Sequence, residues 1–139
     1  MKIKAMVVDD SGIMRKMVMR SLKESGLAEF EFVEGVDGVD ALEKFDPDEI
    51  QMMFVDWNMP NMNGLEFITK VREMTSHHIP VAMITTERTM EKVEEAIEQA
   101  GVDTFICKPF TTDVMKKKLG LLFDKIEDDK EGFFGALGG

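Results

Sequence analysis

The chain has 139 residues, 44% of them hydrophobic, which is enough for one well-packed domain and too few for two. Its formal net charge of −10 argues against a surface that binds a polyanion, so we expect no nucleic-acid partner. No apolar run approaches the roughly 20 residues that cross a bilayer, and we expect no membrane association. The single cysteine, Cys107, and the lack of a signal-peptide pattern favour the cytoplasm, and we expect a monomer.

Four short apolar runs each stop at a charged or hydroxyl side chain. The runs at residues 5–8, 52–55, 81–84 and 104–107 end at Asp9 and Asp10, Asp56, Thr85 and Lys108, respectively. Short apolar runs that alternate with helical patterns are typical of buried strands in a parallel sheet. Ligands of such sheets bind beyond the carboxyl ends of the strands. We therefore expect these five side chains to meet at one edge of the sheet.

The first predicted helix follows the first apolar run. Ser11 is placed to cap its start and Gly26 to end it. The spacing predicts an inward stripe of four residues, namely Met14, Met17, Val18 and Leu22. The basic residues off that stripe are expected in water, namely Arg15, Lys16, Arg20 and Lys23.

Two later helices show equally clear signals. Thr89 can cap the fourth helix, Gly101 can end it, and its inward stripe is Val93, Ala96, Ile97 and Ala100. Thr111 or Thr112 can cap the last helix, whose inward residues are Met115, Leu119, Leu122 and Ile126. The predicted fold class is therefore α/β, with five strands and five helices.

The order of the strands follows from the crossovers. Because helical crossovers between parallel strands are right-handed, few topologies remain. We predict a flavodoxin-like, five-stranded parallel sheet in the order 2-1-3-4-5, flanked by five helices. Residues 30–33 alternate in polarity, as an edge strand does.

The chain divides into two parts at about residue 127. Residues 1–127 form the predicted domain, and residues 128–139 change to an acidic, glycine-rich composition. We predict a flexible acidic tail there. The pair Phe133 and Phe134 leaves a docking peptide as the alternative, either within the chain or to a partner.

The clustered acids call for a cation. Three carboxylates at one sheet edge repel each other, and Lys108 alone cannot balance them. Mg²⁺ suits an oxygen-rich site that keeps several waters. We predict Asp10 and Asp56 as direct ligands, Asp9 as a ligand through water, and the backbone carbonyl of Asn58 as a further ligand.

Such a site favours phosphoryl chemistry. The Asp56 carboxylate can act as a nucleophile and form an aspartyl phosphate, with Lys108 as counter-charge. The Thr85 hydroxyl can bind a phosphoryl oxygen. A single aspartate after a strand is usually a turn residue or a cap, but five such groups at strand ends favour a shared site.

The same residues carry a family resemblance. Asp9-Asp10, Asp56, Thr85 and Lys108-Pro109-Phe110, together with residues 56–66, resemble the receiver domain of two-component response regulators, in particular its chemotaxis (CheY) branch. The resemblance covers residues 3–126. It implies a signalling protein that catalyses only its own phosphorylation and dephosphorylation, and is otherwise not an enzyme.

The resemblance also implies roles and partners. Asp56 would accept a phosphoryl group from a sensor histidine kinase, Asp9 and Asp10 would hold Mg²⁺, and Lys108 would pair with the phosphoryl group in a loop with a cis Lys108–Pro109 bond. Thr85 and Phe105 would form the switch. The implied partners are that kinase, the flagellar motor switch protein and a phosphatase. Two departures are Phe105, where the family often has Tyr, and Thr86, where it commonly has a smaller residue.

Other functions remain open at this point. Within the family, the alternative is a phosphate sink or relay intermediate without a motor target. A phosphohydrolase of the haloacid dehalogenase type also uses an aspartyl nucleophile, but it needs a second acid where this chain has Asn58. A flavodoxin would need a Ser/Thr-Gly phosphate loop where Asp9 and Asp10 stand. The chain also lacks a Gly-x-x-x-x-Gly-Lys-Ser/Thr nucleotide loop.

Overall fold

The computed structural model describes residues 1–86 and 89–136, with side chains up to residue 124. Strands and helices alternate along this part of the chain. The strands are β1 (Lys2–Val8), β2 (Glu29–Gly35), β3 (Met52–Val55), β4 (Val81–Thr85) and β5 (Thr104–Cys107). The helices are α1 (Gly12–Ser25), α2 (Gly38–Lys44), α3 (Gly64–Met74), α4 (Met90–Ala100) and α5 (Thr112–Ala136).

The five strands of the described residues form one sheet in the order β2-β1-β3-β4-β5, and every neighbouring pair is parallel. The predicted fold class and strand order are therefore confirmed. The register pairs Val8 with Val55, Val55 with Met83 and Thr85 with Cys107, so β4 and β5 extend two residues further than β1 and β3. Strand β2 lies at an edge, as its alternating polarity predicted.

Two apolar layers cover the two faces of the sheet. Side chains of β3 alternate between them, with Met53 and Val55 in one layer and Met52 and Phe54 in the other. Strands β3 and β4 are buried along their whole length. Burying one large apolar side chain contributes about 1.5–3 kcal/mol to the stability of the fold, so these two central strands stabilise the sheet.

Helix α1 begins and ends where the sequence indicated. The Ser11 hydroxyl accepts a hydrogen bond from the Met14 N–H at 3.2 Å, and Gly26 ends the helix at φ 69°. The predicted stripe is partly wrong, because Met17 is 45% exposed. The helix instead buries a face that includes small serines, namely Val18, Ser21, Leu22 and Ser25. The Ser25 hydroxyl donates to the Leu22 carbonyl at 2.6 Å, which satisfies this polar group in the interior.

Helix α4 repeats that pattern. Thr89 caps it, and Gly101 ends it at φ 61°. Ala96 and Ala100 are buried as predicted, whereas Ile97 is 50% exposed, so its inward assignment is wrong. Ala96 and Ala100 lie in the apolar layer that also contains Met53 and Val55, and this orientation of α4 turns Ile97 toward solvent.

Helix α5 continues further than the periodicity predicted. Met115, Leu119 and Leu122 are buried as expected, and the side chain of Ile126 lies outside the described residues. The backbone of residues 128–136 is helical. Flexibility of this acidic segment in solution stays a prediction, and residues 137–139 lie outside the described part. None of the helices in the described residues is long and apolar enough to cross a bilayer.

Candidate functional site

The carboxyl ends of three strands bring Asp9, Asp56 and Lys108 into contact. The Lys108 ammonium lies 2.9 Å from Oδ2 of Asp9 and 3.3 Å from Oδ2 of Asp56. The side chains of the two aspartates are 5% and 8% exposed. The Lys108 N–H also donates to the Thr85 carbonyl at 3.0 Å, which joins β5 to β4 at this point. The structure therefore places these four predicted residues at one edge of the sheet.

Asp10 completes a cluster of three acids. One carboxylate oxygen each from Asp9, Asp10 and Asp56 can be chosen so that all three lie within 4.8 Å of one another. Oxygen ligands of Mg²⁺ lie about 2.1 Å from the ion, so opposite ligands are about 4.2 Å apart. The cluster therefore fits a magnesium ion that binds some acids directly and one through water. Asp10 is exposed while the other two are buried, so the cluster opens toward solvent.

Burial and charge shift the pKa values of two groups here. Burial raises the pKa of Asp56, Lys108 opposes that shift, and the like charge of Asp9 adds to it. Burial on its own lowers the pKa of Lys108, but its hydrogen bond to Asp9 and the charge of Asp56 outweigh burial and raise the pKa. Lys108 therefore stays protonated and positively charged, and a further positive charge nearby would stabilise the ionised form of Asp56.

The loop after β3 fixes the backbone of Asp56. The Gly64 N–H donates to the Trp57 carbonyl at 2.8 Å, and a Cβ on Gly64 would collide with the Asp56 carbonyl oxygen. Asn61 adopts a left-handed φ of 67° and donates a hydrogen bond to the Asp37 carboxylate at 2.8 Å. Glycine at 64 is thus required for the close approach, and the loop is tied to the start of α2.

Arg15 belongs to the site, although the sequence pattern placed it in water. Its Nη1 donates to the Asp9 carbonyl at 2.6 Å, its Nε pairs with Glu34 at 3.0 Å, and its side chain is 15% exposed. Helical side chains lean toward the amino terminus of their helix. An arginine in the first turn after the acid pair Asp9 and Asp10 therefore points back at them. That spacing is the signal that the periodicity argument missed.

The remaining predicted residues lie around this centre. Phe105 is half-buried on β5 opposite Met83, and Thr86 is exposed just after β4. Asn58 is exposed two residues after Asp56, and its role as a carbonyl ligand stays a prediction. The Lys108–Pro109 bond is cis, as the resemblance implied.

Comparison with known proteins gives this arrangement its context. The profile of the response regulator receiver domain matches residues 5–120. The chain belongs to the response regulator receiver family. The chemotaxis protein CheY1 of Helicobacter pylori is 42% identical over 119 residues, which cover 84% of this chain and 94% of that protein. A chemotaxis CheY homolog of Campylobacter jejuni is 41% identical over the same length, 84% of this chain and 89% of that protein.

Solved structures agree with this assignment. The chemotaxis protein CheY4 of Vibrio cholerae superposes with a TM-score of 0.75 and 32% identity, over 88% of this chain and 99% of its own. Receiver domains are signalling proteins rather than classical enzymes, and they typically bind Mg²⁺. The match to the receiver family ends before the second half of α5, so residues 121–136 of that helix lie beyond the matched receiver region.

Proposed function

We propose that this protein is a single-domain chemotaxis response regulator in the cytoplasm, phosphorylated on Asp56 by a sensor histidine kinase. Phosphorylation would change its affinity for a flagellar motor switch protein. The observation that carries the proposal is the Lys108 ammonium, which reaches both Asp9 and Asp56 beside a cluster of three carboxylates. The relatives named as chemotaxis proteins support the signalling context.

The proposed chemistry is a transfer between two nucleophiles. An oxygen of the ionised Asp56 carboxylate attacks the phosphorus of a phosphohistidine. The new P–O bond forms as the P–N bond breaks, and the electron pair of the P–N bond returns to the imidazole nitrogen. Lys108 faces the transferred group as a fixed positive charge, and Thr85 offers a hydroxyl at the end of β4.

Asp9, Asp10 and Asp56 would hold Mg²⁺, with the Asn58 carbonyl as a further ligand. When bound, the ion supplies positive charge that offsets the repulsion between these carboxylates and the phosphoryl oxygens. Burial raises the pKa of Asp56, and a nearby cation opposes this effect because it favours the ionised, nucleophilic form of the carboxylate. Dephosphorylation would use the same groups with water as the attacking oxygen, assisted by a phosphatase.

The response would pass from Thr85 to Phe105. A phosphoryl group on Asp56 attracts the Thr85 hydroxyl, and the movement frees space beside β5 that the half-buried Phe105 can fill. This is a shift between two packings caused by one local charge event. Phe105 has no hydroxyl, so its contribution to partner binding would come from apolar contact.

Asp56→Asn tests the proposal most directly. With acetyl phosphate and Mg²⁺, we expect intact-mass spectrometry to detect one phosphoryl group on the wild-type chain and none on the variant, because an amide is not a nucleophile here. The matched control is Asp46→Asn, an exposed aspartate in the loop before β3, which should be phosphorylated normally. Equal phosphorylation of Asp56→Asn would refute the assignment.

A binding experiment separates the motor target from a relay role. We expect a flagellar switch peptide to bind the wild-type chain more tightly with beryllofluoride and Mg²⁺ than without them. Unchanged affinity in a chain that does accept phosphate on Asp56 would instead favour a phosphate sink or relay intermediate. A third measurement separates these two roles from that of a phosphohydrolase. We expect the wild-type chain to accept a phosphoryl group but not to hydrolyse small phosphate esters with turnover.

A further inference from the structure

The guanidinium of Arg15 joins the ends of two strands. It donates to the Asp9 carbonyl at the end of β1 at 2.6 Å and pairs with Glu34 near the end of β2 at 3.0 Å. The Arg15 side chain is 15% exposed, whereas Arg20 on the same helix is 81% exposed. A planar guanidinium that makes two directed bonds fixes the relative position of its partners.

The bond to Asp9 controls more than one residue. The Asp9 carbonyl belongs to the rigid peptide plane that leads into Asp10. The Asp9 N–H is held as well, because it donates to the Gly35 carbonyl at 3.1 Å. The backbone is therefore held on both sides of Asp9, and the plane that sets the position of Asp10 has little freedom to rotate. Both residues contribute oxygens to the cluster of three acids.

We propose that Arg15 is a positioning residue for the cation site, holding the peptide between Asp9 and Asp10 so that both carboxylates face Asp56. The inference rests on the proposed function, because the cation concerned is the Mg²⁺ of that site. Arg15 itself touches neither the ion nor the phosphoryl group. It acts through the backbone of the residues that do.

A simpler account would give Arg15 only an electrostatic effect. A positive charge near the acids repels a second cation, so its removal would tighten Mg²⁺ binding. Positioning predicts the opposite change, because a free peptide plane lets the two carboxylates drift from the geometry that the ion requires. The sign of the change therefore decides between the two accounts.

The test compares Mg²⁺ affinity in three full-length variants. Affinity is read from the fluorescence of Trp57, the one tryptophan of the chain and the neighbour of Asp56, and from calorimetry. For Arg15→Gln, we expect the Kd for Mg²⁺ to rise about tenfold, within the range for partners that orient metal ligands. Arg15→Lys keeps the charge but not the fork, and we expect a rise of about threefold. The matched control is Arg20→Gln, which removes the same charge from the solvent side of α1 and should change the Kd less than about twofold.

Far-UV circular dichroism and amide NMR spectra in EDTA establish that each variant is folded. An Arg15→Gln chain that is folded and binds Mg²⁺ as tightly as the wild type, or more tightly, would overturn the inference. If Arg15→Gln does not fold, Arg15→Lys carries the test, since the charge account predicts no change for it. If both fail to fold, Arg15 is a residue of the fold and the inference is wrong. A wild-type chain that binds no Mg²⁺ overturns the proposed function as well, whereas normal binding in both the wild type and Arg15→Gln removes only the positioning role.

Discussion

The two ends of the parallel sheet each hold a nearly buried aspartate in a different environment. At the carboxyl end, Asp56 lies 3.3 Å from Lys108, while burial and the like charge of Asp9 raise its pKa. At the amino end, the Asp103 side chain is 5% exposed and accepts hydrogen bonds from the Val81 N–H at 2.8 Å and from His78 Nε2 at 2.9 Å.

Arg72 completes the amino end. It donates to the carbonyls of Ile79, Ala100 and Gly101 at 2.6–3.0 Å and lies 3.8 Å from Asp103. Hydrogen bonds there join α3, α4 and the starts of β4 and β5. The comparison shows how one residue type serves two purposes. Asp103 accepts hydrogen bonds from donors of the fold and therefore stabilises the fold. The ionised form of Asp56 is instead disfavoured by burial and by the charge of Asp9, so this residue retains an attraction for a cation.

The largest effect is expected at the amino end. Asp103→Ala removes the acceptor of the Val81 N–H and the carboxylate near Arg72, so we expect the free energy of unfolding to fall by about 2–3 kcal/mol. Urea denaturation followed by circular dichroism measures it. The control Asp124→Ala, at an exposed position of α5, should change the value by less than about 0.5 kcal/mol. A similar small change for Asp103→Ala would mean that the two ends do not differ in this way.

The opposite sign is expected at the carboxyl end. Asp56→Asn removes a buried charge whose pKa is raised by burial, so in EDTA we expect the free energy of unfolding to increase. Added Mg²⁺ should reduce this advantage, because the ion stabilises the native wild-type chain by binding it. A loss of stability in EDTA would show that Asp56 is held by the fold in the same manner as Asp103.

The smallest effect is a dependence of that difference on pH. The folded-state pKa of Asp56 is raised above the ordinary 3.8, so the folded protein binds this proton more tightly than the unfolded chain does. The resulting penalty is complete above the raised pKa and vanishes below 3.8. The stability advantage of Asp56→Asn in EDTA should therefore shrink as the pH falls from neutral toward 4. Urea denaturation of both chains at a series of pH values measures this change. A stability difference that stays constant with pH would contradict the raised pKa of Asp56.

The sequence was sufficient for the fold and for the centre of the site. Apolar runs 52–55 and 81–84 mark strands buried on both faces, and the handedness of crossovers then limits the strand order. Strands of known order place their final residues together, so Asp9, Asp56 and Lys108 could be grouped without coordinates. These inferences succeeded because they depend on backbone topology alone.

The errors concern the rotation of helices and the reach of side chains. Met17 and Ile97 fit an apolar stripe, yet small residues such as Ser21 and Ala96 face the interior instead. Periodicity weighs apolar character and does not measure how closely a helix can approach the sheet. Arg15 was missed because the periodicity argument considered only which face of the helix is apolar, and not that a side chain in the first turn leans back toward the residues before the helix. The apolar run 104–107 indicated a buried strand, but its last residue, Cys107, is exposed at the end of β5.

The position of Cys107 has a practical consequence. It is the one cysteine of the chain, it is exposed, and Lys108 follows it directly. A thiol-specific fluorophore or spin label would therefore attach at a single place, next in sequence to Lys108 of the candidate site. The chain therefore offers a natural labelling position for following the proposed binding of Mg²⁺ and of a phosphoryl group in real time without mutagenesis.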